Sequence, residues 1–234
     1  MDVEADLSSR PFLVICVLVG VPIIGWLSWR ELSSQSRERA VHVPVIDKQS
    51  VVFASRTFDP AAPPADMPPL AAGENAECDS DFQANASVGG ETRQIDATHA
   101  TVTITRIKMT LQLNITIWLP AGVTQHVAEH EEGHREISES YYQTADKKAE
   151  RIAANYMGRR VDISGSDLSA ESNQALHEMA TEITNEYNKE LNPEPAQLLY
   201  DTITDHSRNE VVVKDAVAHA LKNVSVEWEP PATN

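Results

Sequence analysis

Apolar residues alternate without a break from Ile107 to Leu119. Ile107, Met109, Leu111, Leu113, Ile115, Ile117 and Leu119 are separated by Lys108, Thr110, Gln112, Asn114, Thr116 and Trp118. A two-residue period sends successive side chains to opposite faces of a strand, so the segment predicts one buried face and one wet face. Val102 and Ile104 have the opposite parity, which predicts a bulge or a turn near Thr105 and Arg106 in the β-rich segment 98–119. Pro120 stops the ladder. SVVFASRTF at 50–58 is a second, shorter β-rich run.

Beyond Pro120 the period changes to three and four. Val127, His130, His134, Ile137, Tyr141, Ala145, Lys148, Ile152 and Tyr156 form one stripe of a long helix from about Thr124 to Met157, with Gly158 as its stop. A second helix fits 170–191, with Ser169 as N-cap and Leu176, Met179, Ile183 and Tyr187 as its stripe, until Asn192-Pro193 breaks it. Segments 196–205 and 209–222 also read as helical. The expected architecture is α+β: a small antiparallel sheet packed on the long helix, with additional helices closing a cleft.

The N-terminal part has a different pattern. From Pro11 to Trp29 no residue is charged, and these 19 positions would span about 28 Å as a helix, close to the thickness of a bilayer core. Trp26 and Trp29 stand where interfacial aromatics are expected, and Arg30 ends the run. No small-x-small site follows, which disfavours a cleaved signal peptide. The reading is a tail at 1–10, one transmembrane helix at 11–29 and a juxtamembrane stalk at 30–49. A folded domain over 50–225 follows, with a Pro-rich connector at 59–73 and a tail at 226–234. Arg30, Arg37 and Arg39 outnumber Arg10, which favours a cytoplasmic C-terminal side. The layout of a lone anchor ahead of a whole catalytic domain points the other way, and the extracytoplasmic, periplasmic side is the expectation adopted.

A formal charge of −16 and a pI near 4.8 argue against a nucleic-acid partner, because phosphate binding needs a basic surface. A solvated acidic exterior is the plain reading of that charge. Cys16 and Cys78 are the two cysteines, too few for a disulfide framework or a cysteine-ligated zinc site.

The candidate chemistry is His130-Glu131-Glu132-Gly133-His134, an HExxH pattern in the middle of the long helix. Histidines four apart share a helix face, so both imidazoles can reach one tetrahedral ion, with zinc the expected cofactor. Glu131, rotated by about 100° from His130, falls beside the ion as a general base. His126 continues the series but lies two turns from His134, about 12 Å along the axis, too far to share that ion. A third ligand must come from elsewhere: His206, His177, or Glu178, Glu182 and Glu186. Tyr200 is a candidate oxyanion donor or else a core aromatic. Asp201 and Asp205 read as carboxylates that orient a ligand imidazole, or as solvated or capping groups. A zinc-dependent peptidase acting on a peptide or protein substrate is expected. The alternative is a catalytically silent zinc-binding interaction domain at the membrane surface.

The stretch from about Cys78 to His206 resembles a bacterial family of HExxH-type secreted proteins regarded as zinc-dependent proteases and catalogued as a domain of unknown function. The likeness rests on Cys78, Ile117-Trp118-Leu119-Pro120, the His130-Glu131-x-Gly133-His134 core and Tyr200-Asp201-x-x-Thr204-x-His206. It covers a little over half the chain. The resemblance implies His206 as the third zinc ligand. The family has glycine after that histidine, where this chain has Ser207.

Overall fold

A computed structural model describes residues 43–70 and 73–224. The transmembrane helix expected at 11–29, most of the stalk and the tail at 226–234 lie outside the described residues. No described helix is long and apolar enough to cross a membrane.

The alternating segment forms the strand around which everything is arranged. In chain order, β1 is Val45–Lys48, β2 Val52–Phe58, β3 Glu77–Gln94 and β4 His99–Pro120. They are followed by α1 (Gln125–Gln143), α2 (Ala145–Tyr156), β5 (Arg160–Ser164), α3 (Leu168–Glu190), α4 (Glu194–Thr204) and α5 (Val213–Asn223). One edge of β4 pairs with β3 along nearly its whole length. Its other edge takes three short strands end to end: β5 against His99–Thr103, β1 against Lys108–Leu111 and β2 against Asn114–Pro120.

The architecture is α+β, as expected, but the sheet is mixed rather than antiparallel. β3 and β5 run antiparallel to β4, whereas β1 and β2 run parallel to it. The reason is chain order. β3 follows β4's edge through a hairpin, while β1 and β2 precede that hairpin and reach the far edge by a crossover. β1 also falls in the segment expected as stalk, so the folded unit reaches back before residue 50.

The bulge lies where the parity change put it. Ile104 pairs with Gly90 and Arg106 with Gly89, leaving Thr105 as the extra residue. Val102 and Ile104 on one side of it, and Ile107 through Ile117 at odd positions on the other, are therefore all buried on one face. That face meets Tyr142, Ala145, Ala149, Ile152, Ala153, Tyr156, Ile183, Tyr187 and Leu191 from α1, α2, α3 and the residue after α3. The Tyr142 hydroxyl reaches the carbonyls of Gln49 and Leu111, each at 2.9 Å, and ties the helix layer to the sheet.

The single helix expected over Thr124–Met157 is two. Thr144, at φ −100° and ψ 5°, interrupts it, ending α1 and opening α2. Thr124 caps α1 by accepting from the Val127 amide. Asp167, rather than Ser169, caps α3 by accepting from the amides of Ser169 and Ala170.

Leu113 is fully buried on the core face, whereas Lys108 is exposed and holds only a surface ion pair with Asp47 at 3.5 Å. Leu113→Ala is expected to cost about 2–5 kcal/mol, against less than about 1 kcal/mol for Lys108→Ala. Urea unfolding followed by circular dichroism measures both, and equal losses would contradict this orientation of β4.

Candidate metal centre

Helical spacing alone brings His130 and His134 together on α1. Their Nε2 atoms stand 3.1 Å apart. The third member comes from α4: Asp201 Oδ1 lies 2.9 Å from His134 Nε2 and 3.4 Å from His130 Nε2. Ligand atoms about 2.0–2.1 Å from a tetrahedral zinc stand about 3.3 Å from one another, so this triangle has the size of one face of such a site.

Two further observations fit a cation. Asp201 Oδ1 is buried without a well-formed hydrogen bond, as is His130 Nδ1. A carboxylate oxygen withdrawn from water is costly unless a charge is set against it. Gln197 then fixes which nitrogen of His134 can ligate. Its Nε2 donates to the His134 carbonyl at 3.1 Å and to Ser138 Oγ at 3.0 Å, so its Oε1 is the atom 2.6 Å from His134 Nδ1. Nδ1 must therefore donate, and Nε2 is left to face His130 and Asp201.

Burial opposes charge on His134, yet Asp201, then Glu131 and Gln197, outweigh it and push the ring up to about 9. Burial alone would raise the Asp201 carboxyl, but His130 and His134 beside it hold it well below the usual carboxylate range.

Glu131 is buried and lines a cavity of about 610 Å³ together with His134 and Asp201. Burial, followed by Glu77, Glu74 and Asp201, pushes its carboxyl up to about 8 against the opposing pull of His134. Glu132 points elsewhere, onto the guanidinium of Arg135.

The approach of α4 to α1 depends on Gly133. Tyr200 is fully buried, its ring stacked on His130 at 5.0 Å between centroids. A Cβ on Gly133 would overlap Tyr200 Oη and come within 2.5 Å of Cζ. The hydroxyl donates to the His130 carbonyl at 3.1 Å. Of the two alternatives for Tyr200, the geometry places it as a core aromatic: its hydroxyl is engaged by backbone, and it is not among the residues lining the cavity.

His206, the ligand implied by the family resemblance, stands in a neighbouring set. Asp205, His206 and Ser207 all have left-handed φ, at 48°, 51° and 64°, and this turn after α4 brings the His206 ring back toward Asp201. His206 Nδ1 lies 2.9 Å from Glu74 Oε1 and 3.9 Å from Asp201 Oδ1. Asp201 takes the place expected of His206 beside the two helix histidines. The remaining candidates are remote from the cluster. His177 is exposed on α3, Glu178 accepts from Gln174, and Glu182 and Glu186 both accept from the Tyr156 hydroxyl. His126, at the N-terminal end of α1, is 3.0 Å from the Asn209 carbonyl instead. Cys78 lines the cavity, its thiol pushed up to about 12 by burial.

Asp201 and Gln197 are the residues that sequence reasoning underrated or passed over. Their signal was present: with Tyr200 and Thr204 they recur at three- and four-residue steps along α4.

Gly133→Ala is expected to lose about 1–3 kcal/mol and to weaken metal binding, since the displaced Tyr200 carries Asp201 with it. Urea denaturation and a zinc competition assay read the two effects, and an unperturbed variant would contradict the close approach. Zinc binding at pH 7.5 should release about one proton per ion, because below about pH 9 His134 holds a proton that the ion must displace. The apparent affinity should therefore tighten as pH rises from 6 and level off near 9. Calorimetry in buffers of different ionisation enthalpy measures this, and a pH-independent affinity would refute it. Comparison with protein-family models, with curated proteins and with solved structures gave no match, so the reading of this site stands on its geometry.

Proposed function

We propose that this chain is a zinc-dependent hydrolase, a peptidase anchored in the membrane through 11–29 with its folded domain on the extracytoplasmic side. The observation that carries the reading is the His130, His134 and Asp201 triangle, whose carboxylate oxygen is buried without a well-formed hydrogen bond and which opens on the cavity that Glu131 lines. These donors suit zinc: two imidazoles and one carboxylate, with room for a fourth ligand. Zinc bound there would polarise a carbonyl and lower the pKa of a water.

The chain's own groups supply the remaining work. Glu131 is the general base, taking a proton from the attacking water and passing it to the leaving amine nitrogen. Gln197 holds the His134 ring in its ligating orientation. Tyr200 and Gly133 set the spacing of the two helices.

An extended peptide is the substrate this geometry favours. Glu77, Cys78, Asp79 and Ser80 of β3 line the cavity. Along β3, pairing is with β4 on one edge, and among the described strands none pairs with the other. A peptide lying there would use main-chain hydrogen bonds for affinity. A silent zinc-binding domain is the competing reading, and one substitution separates the two.

Glu131→Gln is expected to reduce hydrolysis of a quenched fluorescent peptide library by about 10²–10⁴-fold while zinc content stays at the wild-type level. Wild-type protein that holds zinc but cleaves no peptide, or a variant as active as wild type, would sink the peptidase reading.

A further inference from the structure

The metal centre does not exhaust the metal-ligating groups around the cavity. Glu74, Asp201 and His206 each offer a ligand atom, and these three atoms lie within 4.8 Å of one another. Asp201 belongs to both sets. We infer that Glu74, Asp201 and His206 form a second divalent-cation site, joined to the first through the Asp201 carboxylate, so that the cavity holds a dinuclear centre. The inference rests on the proposed metal-dependent hydrolase and extends it.

Three observations support it. First, His206 is not grouped with His130 and His134. Its Nδ1 faces Glu74 at 2.9 Å, and Asp201 Oδ1 lies on its other side at 3.9 Å. A histidine completing the first site would have to approach both helix imidazoles, and this one turns to a carboxylate partner of its own. Second, Asp201 Oδ1 is buried and without a well-formed hydrogen bond while facing ring nitrogens of His130, His134 and His206. One oxygen directed at three imidazoles from two elements is what a shared ligand requires. Third, the cavity is lined by the carboxylates of Glu74, Glu77, Asp79, Glu131, Glu194 and Asp201, with no lysine or arginine among its lining residues. Asp79 and Glu194 are exposed to solvent, but Glu74, Glu77 and Asp201 are partly buried, and a second ion at the Glu74 side would balance charge that water reaches less well.

The chemistry follows from position. Glu74, Asp201 and His206 line the cavity, whereas His130 does not. An ion on the second set would face the substrate directly, and paired ions of this kind stand about 3.5–4 Å apart in hydrolases that clamp both the attacking and the leaving group. The second set would accept a lone-pair donor from the substrate, such as a free peptide amine or carbonyl oxygen.

The full-length protein in detergent, dialysed against zinc and analysed for metal and for protein, is expected to hold two zinc ions per chain. His206→Ala and Glu74→Gln should each hold one. His206 is on the surface side of the cluster with 41% of its side chain exposed, so its removal leaves the core intact, and circular dichroism checks this. Cobalt substitution gives an independent readout: spin-coupled ions in the wild type and an uncoupled, single-ion spectrum in His206→Ala. One zinc in the wild type would overturn the second site and leave the mononuclear hydrolase standing. Two zinc ions retained in both variants would overturn it by placing the second ion elsewhere. Loss of all zinc in His206→Ala would overturn it by making His206 a ligand of the first site. A wild type without zinc would overturn both proposals, and two zinc ions without peptide cleavage would support this site while removing the peptidase.

Discussion

A carboxylate oxygen sealed from water and surrounded by imidazole nitrogens is the constraint on which the rest of this structure turns. Asp201 could not hold that position by itself, since an unpaired buried charge would cost several kcal/mol and would be relieved by protonation or by movement of α4. Movement is blocked by packing. Tyr200, the preceding residue, is fully buried against His130, and Gly133 admits its ring where any side chain would exclude it. Gln197, one turn earlier on the same helix, bonds both to the His134 ring and to the α1 backbone. Gln197 and Tyr200 of α4 thus grip one turn of α1, and the Asp201 carboxylate is delivered to the imidazoles as a consequence. The polar site and the apolar contact are two faces of a single helix crossing.

How far this was legible in the sequence depends on the range of each interaction. β4, its bulge at Thr105 and the paired histidines of α1 could all be read, because each follows from spacing within one element. Strand partners could not. Alternation tells which face of β4 is buried and says nothing about which segment lies along its edges, so the parallel β1 and β2 were invisible as such. The break at Thr144 carries no proline or glycine, and the buried stripe continues through it from Tyr142 to Ala145, Ala149 and Ile152. Periodicity therefore reported one helix. The third member of the candidate metal set was missed for the same reason as the strand partners. Asp201 lies far along the chain from His130, and its place beside the histidines exists only once α4 has docked.

Net charge was the least informative number until it had a location. An acidic exterior satisfies a charge of −16 without any function, and many of the chain's carboxylates are solvated in that way. The cavity is different because Glu74, Glu77, Glu131 and Asp201 at its wall are partly or fully withdrawn from water and lie near one another. Burial, followed by repulsion from Glu74, raises the Glu77 carboxyl above its ordinary range, and burial with Asp81 does the same for Asp79. Concentrating such groups around a cavity is unfavourable for the folded chain alone. A bound cation would reverse that balance, so the acidic lining and the proposed metal centre form one feature.

The choice between two adjacent glutamates shows how much is decided by rotation about one axis. Glu131 and Glu132 share composition, charge and nearly the same position along α1. One further residue turns the side chain by about 100°. Glu131 is thereby directed inward, 5% exposed and facing the cavity, with its carboxyl raised by burial. Glu132 is directed outward, where Arg135 neutralises it and Arg135 is shared with Glu139. Glu132 is turned away from the cavity, while Glu131, its carboxyl raised by burial at the cavity wall, can both accept and return a proton. Two chemically identical side chains are thus sent one to the cavity wall and one to the surface by the helix pitch and by the position of one arginine.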